Sequence, residues 1–226
     1  MTRSNDYILE ARGLHKSFGS GPARVHVLRG LDLHVHRGEF LAIMGPSGCG
    51  KSTLLHVMGL MARTDEGSVC IDGADVSQLG ESHQAEIRRR QIGFIFQRFN
   101  LISVLSGYDN VKLSLAIRGL GSEGVQELLQ SMDVAGVAFR KPGQLSIGQQ
   151  QRLAVARGIA HNPAILLADE PTGSLDSANA TELLGLLSRT NQERGQTIVM
   201  ITHSDEAARA ASRVVHMRDG RIFEHA

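Results

Sequence analysis

The stretch "GPSGCGKST", residues 45–53, constrains this chain more than any other part of it. It fits G-x-x-x-x-G-K-[ST], a spacing in which glycines let the backbone curl into a nest of N–H groups that faces a phosphate. Gly45, Pro46, Ser47, Gly48, Cys49 and Gly50 form the predicted cradle, with Thr53 closing the binding stretch. Lys51 supplies a point charge for β- and γ-phosphates, and Ser52 offers a hydroxyl to Mg²⁺. Such a loop has to leave a buried strand and enter a helix. Upstream, "EFLAIMGP" is continuously apolar, as a strand buried on both faces is. Downstream, "KSTLLHVMGLMA" reads as a helix whose positive end points at the same anion. A glycine-rich turn before a helix is the bland alternative, and the strand–loop–helix context speaks against it.

The rest of the chain supplies the frame for that loop. "VLRGLDLHVHRGEF" alternates apolar and polar residues (Leu31, Leu33, Val35), the pattern of a half-exposed antiparallel strand. "SVCIDGADV" reads as a strand followed by a turn. "QIGFIFQ", "AILLADEP" and "TIVMITHS" are short apolar runs ending in polar residues, each a candidate parallel strand. Between Gln97 and His161 the period becomes helical, as "EGVQELLQSMDVAG" and "GQQQRLAVARGIA" show. "RVVHMRDGRIFEHA" predicts a hairpin turning at Asp219-Gly220. The expected class is α/β, with parallel core strands, an antiparallel edge and a helical insert of about 60 residues. At 226 residues the chain can bury a proper core. A net charge of +1 gives no push toward nucleic acid or anionic lipid. Two cysteines make neither a disulfide framework nor a zinc site, and no signal peptide or membrane span stands out, so a soluble cytosolic chain is expected.

Further motifs acquire meaning once a phosphate site is placed. "ILLADE" (165–170) is an apolar strand ending in two carboxylates. Asp169 can hold Mg²⁺, largely through water, and Glu170 can orient and deprotonate an attacking water. His203, closing "MITHS", can hydrogen-bond a γ-phosphate, and Gln97 can ligate Mg²⁺ or a water. Without the phosphate loop, each of these would read as an ordinary polar strand end. His34 and His36 share a strand face but lack a third metal ligand, so a solvated edge is expected. Cys49 reads as a small filler residue, and "RRR" (88–90) as a solvated helix face.

The order Phe18, "GPSGCGKS", Gln97, "LSIGQQQR" (145–152), "ILLADEP", "SLD" (174–176), His203 resembles the nucleotide-binding subunit of an ABC transporter across essentially the whole chain. "DEPTGSLD" and "GFIFQRFNLI" are especially similar to the branch containing LolD, MacB and FtsE. The resemblance implies one nucleotide-binding domain over 1–226: a P-loop NTPase core with a parallel sheet, an antiparallel β subdomain and a helical subdomain inserted at about 98–162. It implies two MgATP sandwiched in a head-to-tail homodimer. Phe18 then aligns with the aromatic that stacks on adenine, and Asp176 with the loop aspartate linking the two sites. Ser146, Gly148 and Gln149 hold the signature places that meet the partner's ATP. The resemblance also implies a membrane permease with few transmembrane helices as partner, placing the chain on the cytoplasmic face of the membrane, with the contact around Gln97–Tyr108.

Ile147 departs from that pattern, since the family has glycine there. A β-branched residue resists positive φ and needs room near a phosphate. If the position is already helical, the change costs little conformationally. An intact Lys51 and Glu170 argue for a working site with altered closure rather than a lapsed one. Two other functions share these motifs. A chromosome-maintenance or DNA-repair ATPase would need sustained coiled-coil heptads and basic surface, which the chain lacks. A regulatory ATPase of the FtsE kind, controlling a membrane partner without moving cargo, fits the motifs equally well.

Overall fold

The structure is a computed structural model and describes residues 6–223. Among the described residues, two sheets and seven α-helices follow one another. Strands β1 (Tyr7–Phe18) and β2 (Val25–His36) pair antiparallel. Next come β3 (Phe40–Met44), α1 (Lys51–Met58), and the hairpin of β4 (Glu66–Ile71) and β5 (Ala74–Asp75). Helix α2 (Glu81–Gln91) runs directly into β6 (Ile92–Ile95). Helices α3 (Gly107–Ala116), α4 (Val125–Ser131) and α5 (Ile147–Ile159) precede β7 (Ile165–Asp169). The chain closes with α6 (Ser177–Arg194), β8 (Thr197–Thr202), α7 (Asp205–Ala208), and the hairpin of β9 (Arg213–Arg218) and β10 (Arg221–Phe223).

Four strands form an antiparallel sheet in the order β2-β1-β4-β5, and six form a second sheet in the order β10-β9-β3-β8-β7-β6. In the second, β9, β3, β8, β7 and β6 are mutually parallel and only the edge strand β10 is antiparallel. The apolar runs of its central strands follow from burial on both faces. Phe40, Ala42 and Met44 of β3, Leu166 and Ala168 of β7, and Ile198 and Met200 of β8 enter one core with α3 to α7. Their alternates Leu41, Ile43, Ile165, Leu167, Val199 and Ile201 enter a second core with α1 and the antiparallel sheet. The antiparallel sheet has a single core-facing side, which is why β2 alternates. Leu31, Leu33 and Val35 are buried, whereas Asp32, His34 and His36 are exposed.

Two local features differ from the sequence reading. Helix α1 stops at Met58 instead of running on to Ala62. Gly59 is its C-cap, glycine because a Cβ there would lie 2.4 Å from the Phe94 ring, and Leu60 then turns left-handed at φ 57°. The arginines at 88–90 are more than a solvated face: Arg88 donates to the Leu60 carbonyl and Arg89 to the Ile117 carbonyl, tying α2 to its neighbours. His34 and His36 are exposed on the edge strand β2, as expected, and their rings tilt against Tyr7 at centroid distances of 4.6 and 4.7 Å. The predicted C-terminal hairpin turns with left-handed φ at both Asp219 (50°) and Gly220 (77°), as a two-residue turn between twisted strands requires. The last residues of its quoted stretch, 224–226, lie outside the described range.

Candidate functional site

The loop after β3 is pressed by neighbouring strands at its two ends, Gly45 and Gly50. A Cβ on Gly45 would stand 2.1 Å from the Met217 carbonyl oxygen. Gly50 sits at φ 107° with Met217 Cε and the Val27 carbonyl about to touch any side chain placed there, at 2.9 and 3.0 Å. Both glycines are therefore obligatory, one for close approach and one also for conformation. The C-terminal hairpin completes the enclosure, since Gly220 N–H donates to the Cys49 carbonyl (3.1 Å). The Cys49 side chain is buried in the core, while Pro46, Ser47 and Gly48 form the exposed lip. Lys51 is only 6% exposed, and its ammonium donates to the carbonyls of Gly45 (2.7 Å) and Pro46 (3.0 Å). An ammonium has three donors, so one remains for an acceptor seated in the loop. Ser52 and Thr53 lie in the first turn of α1, whose positive end faces the same space.

The C-terminal ends of neighbouring parallel strands bring the other polar groups to that loop, the place where open α/β sheets bind ligands. Asp169 ends β7, and Ser52 Oγ lies 3.4 Å from its Oδ1. Burial pushes the Asp169 carboxyl up, opposed in part by His56, the Ser52 hydroxyl and Lys51. Glu170 follows with φ 44°, a conformation that costs a non-glycine residue roughly 1–2 kcal/mol. Its N–H donates to the Ile201 carbonyl (3.0 Å), which fixes the carboxylate at the sheet end. Glu170 Oε2 lies 3.1 Å from Nδ1 of His203, the residue after β8. Gln97, two residues beyond β6, approaches from the other side. Its Nε2 and Glu170 Oε2 lie 3.0 and 3.6 Å from the point where a Cβ on Gly173 would sit, so the small Gly173 lets both in.

Ser146, Gly148 and Gln149 form a second cluster at the start of α5. Ser146 Oγ accepts from the Gln149 N–H (3.2 Å), and the Gln149 side chain accepts from the Ser146 N–H (3.0 Å), a reciprocal cap. Ile147 is the first residue of the helix, in ordinary helical backbone, with its side chain 52% exposed. The isoleucine therefore carries no backbone strain. Gly148 packs on the start of α6, where Asp176 is the N-cap: its carboxylate accepts from the Asn179 N–H (2.9 Å) and from Asn179 Nδ2. These bonds hold the Asp176 carboxyl below its ordinary range. Phe18 stands apart at the end of β1, half exposed, with Lys16 Nζ 5.5 Å from its ring centre. Among the described residues, no hydrogen bond joins this second cluster or Phe18 to the loop at 45–53.

Sequence reasoning missed one residue that links the two clusters within the chain. Gln151 is fully buried, and its Nε2 donates to the carbonyl of Pro171, the neighbour of Glu170 (2.8 Å). The signal was available: Gln151 falls three residues after Gly148 and four before Val155, on the buried stripe of α5. The clamp by Met217 and Gly220 left no such signal, because the Met217 carbonyl and the Gly220 N–H that make it are backbone groups every residue has.

The donor set suits a hard cation. Ser52 Oγ and Asp169 Oδ1 converge, Asp169 is half-buried without a full counter-charge, and Gln97 stands beside Glu170. Among the described residues, no group of three or more His, Cys, Asp or Glu converges as an all-protein metal cage. A cation here would complete its shell with water and substrate oxygens, which is the habit of Mg²⁺.

Comparison with known proteins gives a consistent set. The family profile described as "ABC transporter" matches residues 28–173. The lipoprotein-releasing system ATP-binding protein LolD of Porphyromonas gingivalis is 43% identical over 220 residues, covering 96% of this chain and 99% of its own length. The macrolide export ATP-binding/permease protein MacB of Chlorobium luteolum is 46% identical over 218 residues; the match takes in 95% of this chain and 33% of that protein. The chain thus spans about a third of the MacB relatives it matches. Among solved structures, the ATP-binding cassette MJ0796, as a post-hydrolysis dimer bound to ADP and Pi, superimposes with a TM-score of 0.88 at 37% identity. That match covers 96% of this chain and 98% of the other.

Proposed function

This chain belongs to the ABC transporter family, and on that premise we propose that it binds and hydrolyses ATP as the energy-supplying subunit of a transporter, working as a head-to-tail homodimer on a membrane permease. The observation that carries the reading is the convergence of Lys51, Ser52, Asp169, Glu170, Gln97 and His203 at one end of the parallel sheet. In this proposal the N–H groups of residues 45–53 and the free donor of Lys51 hold the β- and γ-phosphates, and Phe18 stacks on the adenine. Ser52 and Asp169, with Gln97, would hold Mg²⁺, which supplies charge neutralisation of the phosphate oxygens. Glu170 orients the attacking water and takes its proton, and His203 both positions the Glu170 carboxylate and donates toward the γ-phosphate. Ser146, Gly148 and Gln149 of one protomer face the ATP held by its partner, and Asp176 lies where the two sites meet. Gln151 ties that signature helix to the Glu170 turn within each protomer.

The permease contact is placed beside residues 97–108, where Ile102 and Val104 are 43% and 71% exposed. No helix of the described chain is long and apolar enough to cross a membrane, so membrane attachment in this reading is through that partner, on the cytoplasmic face. The relatives named for lipoprotein release and macrolide export support an envelope or export role. Phosphate release by the wild type and by Glu170→Gln, alongside nucleotide binding, tests the proposal. Glu170→Gln should keep ATP affinity and lose at least about 100-fold in turnover. Equal turnover in the two proteins would remove Glu170 from the mechanism.

A further inference from the structure

Lys16 and Phe18 are two residues apart on β1, so their side chains leave the same face of the strand. There the Lys16 ammonium stands over the Phe18 ring, 5.5 Å from its centre, where the negative face of the ring attracts a cation. A lysine head on its four-carbon stem wanders unless something holds it. Asp65 does so: its Oδ1 accepts from Lys16 Nζ at 2.9 Å, and the Lys16 side chain is only 16% exposed. The other oxygen, Oδ2, accepts from the Ser17 N–H at 2.7 Å, and Arg24 stands 3.9 Å from it. The bond from Lys16 lowers the Asp65 pKa most, burial opposes it, and the Ser17 N–H lowers it further.

Asp65 is itself moored. It lies between α1 and β4, and its N–H donates to the His15 carbonyl (2.8 Å), as does the Thr64 hydroxyl (2.9 Å). One residue outside the strand therefore grips His15, Lys16 and Ser17 in turn, just ahead of Phe18. On the other side of β1, Lys16 pairs with Leu28 and Ser17 with His26, so β2 carries one extra residue, Val27, as a bulge. The Val27 carbonyl is the group pressed against Gly50. The bulge thus seats this strand pair against the phosphate loop, and Asp65 fixes its far side. Phe18 has one side taken by Lys16 and still keeps 49% of its surface exposed. Exposed ion pairs of this kind add little to stability, so the consequence of Asp65 lies in where it puts the ring.

We infer that Asp65 is a positioning residue for nucleotide binding: by fixing Lys16 and the Ser17 N–H it holds the Phe18 ring with one face covered and the other presented to the adenine. The inference rests on the stacking reading of Phe18 above and adds what sets that ring in place. An exposed phenylalanine turns about two side-chain bonds, and ordering it during binding weakens the complex. A ring already held loses less freedom when the base stacks on it. The phosphates are gripped by residues 45–53, a separate loop, so the effect of Asp65 falls on the base alone.

ADP and inorganic pyrophosphate separate the two grips, because both fill the phosphate loop and only ADP carries a base. Their affinities for the full chain are measured by calorimetry, pyrophosphate in competition with ADP. Asp65→Ala should weaken ADP binding about three- to tenfold and leave pyrophosphate binding unchanged. Asp65→Asn keeps an acceptor for the Ser17 N–H but not the charge for Lys16, and should fall between Asp65→Ala and the wild type. Phe18→Ala should show the same selective loss, and adding Asp65→Ala to it should cost nothing more. Unchanged pyrophosphate affinity also shows that a variant is folded. Wild-type ADP affinity in Asp65→Ala, an equal loss of both ligands in Asp65→Ala and Asp65→Asn, or an undiminished loss in the absence of Phe18 would each overturn the inference and leave the stacking reading standing. Unaltered ADP affinity in Phe18→Ala would overturn the stacking reading and the inference with it.

Discussion

Replacing Gly148 by alanine tests how the start of α5 is held against α6. The added Cβ would lie 2.3 Å from Asn179 Oδ1 and 2.9 Å from its Cγ, so the Asn179 side chain has to swing away. That side chain is not free to move at no cost, because its Nδ2 donates to both oxygens of Asp176, at 3.0 and 2.9 Å. Overpacking at a buried glycine costs about 1–3 kcal/mol, and glycine-to-alanine in a helix returns up to about 1 kcal/mol. The flexible end of an asparagine gives way more easily than backbone, which puts the net near 1 kcal/mol. For a domain of this size that lowers Tm by about 2–4 °C. Thermal unfolding followed by circular dichroism would measure it, with Asn179→Ala and the double variant completing a cycle. The clash predicts that Gly148→Ala is harmless or stabilising once Asn179 is already alanine. Additive losses in the double variant, or a Tm for Gly148→Ala at or above the wild type, would refute the packing argument.

Other substitutions separate the remaining pieces. Ser146→Ala removes the side-chain half of the α5 cap, the bond from the Gln149 N–H to Ser146 Oγ, and should cost about 1 kcal/mol, read from urea unfolding. Gln151→Leu leaves the Pro171 carbonyl unpaired in the core, with an expected loss of about 1–3 kcal/mol and slower ATP turnover at unchanged ATP affinity. His161 governs a pH window. Its native pKa of about 4 lies below its unfolded value of 6.5, so the unfolded chain binds more protons between them. The stability associated with neutral His161 is complete above pH 6.5 and is lost as pH falls toward 4. The loss is about 2 kcal/mol after discounting for partial exposure. A His161→Phe variant should lose less stability than the wild type over that interval. Parallel curves for the two proteins would show that the imidazole is not the group responsible.

Much of this architecture was readable from residue order alone, for identifiable reasons. Strands β3, β7 and β8 are buried on two faces, so their apolar runs have no competing explanation once each ends in a polar residue. The loop at 45–53 announces itself because a backbone nest demands glycine at fixed spacing. Contacts made by backbone atoms or assembled from distant residues were not readable. Nothing in "RDGR" says that Gly220 will bond Cys49, because the N–H involved belongs to every residue alike. "RRR" reads as a solvated helix face because the carbonyls that Arg88 and Arg89 meet, those of Leu60 and Ile117, lie 28 residues away in the chain. The isoleucine in "LSIGQ" is an intermediate case. Sequence reasoning posed the right condition, helical backbone at 147, and the structure meets it.

The central claim is that this signature helix, isoleucine included, takes part in a nucleotide-dependent dimer. The most direct measurement is the molar mass of Glu170→Gln by light scattering, with and without MgATP. A monomer is expected without nucleotide and a dimer with it, and Ile147→Gly in the same background should dimerise at equal or lower ATP concentration. A chain that binds ATP yet stays monomeric would contradict it, and rescue by Ile147→Gly would assign the failure to the isoleucine.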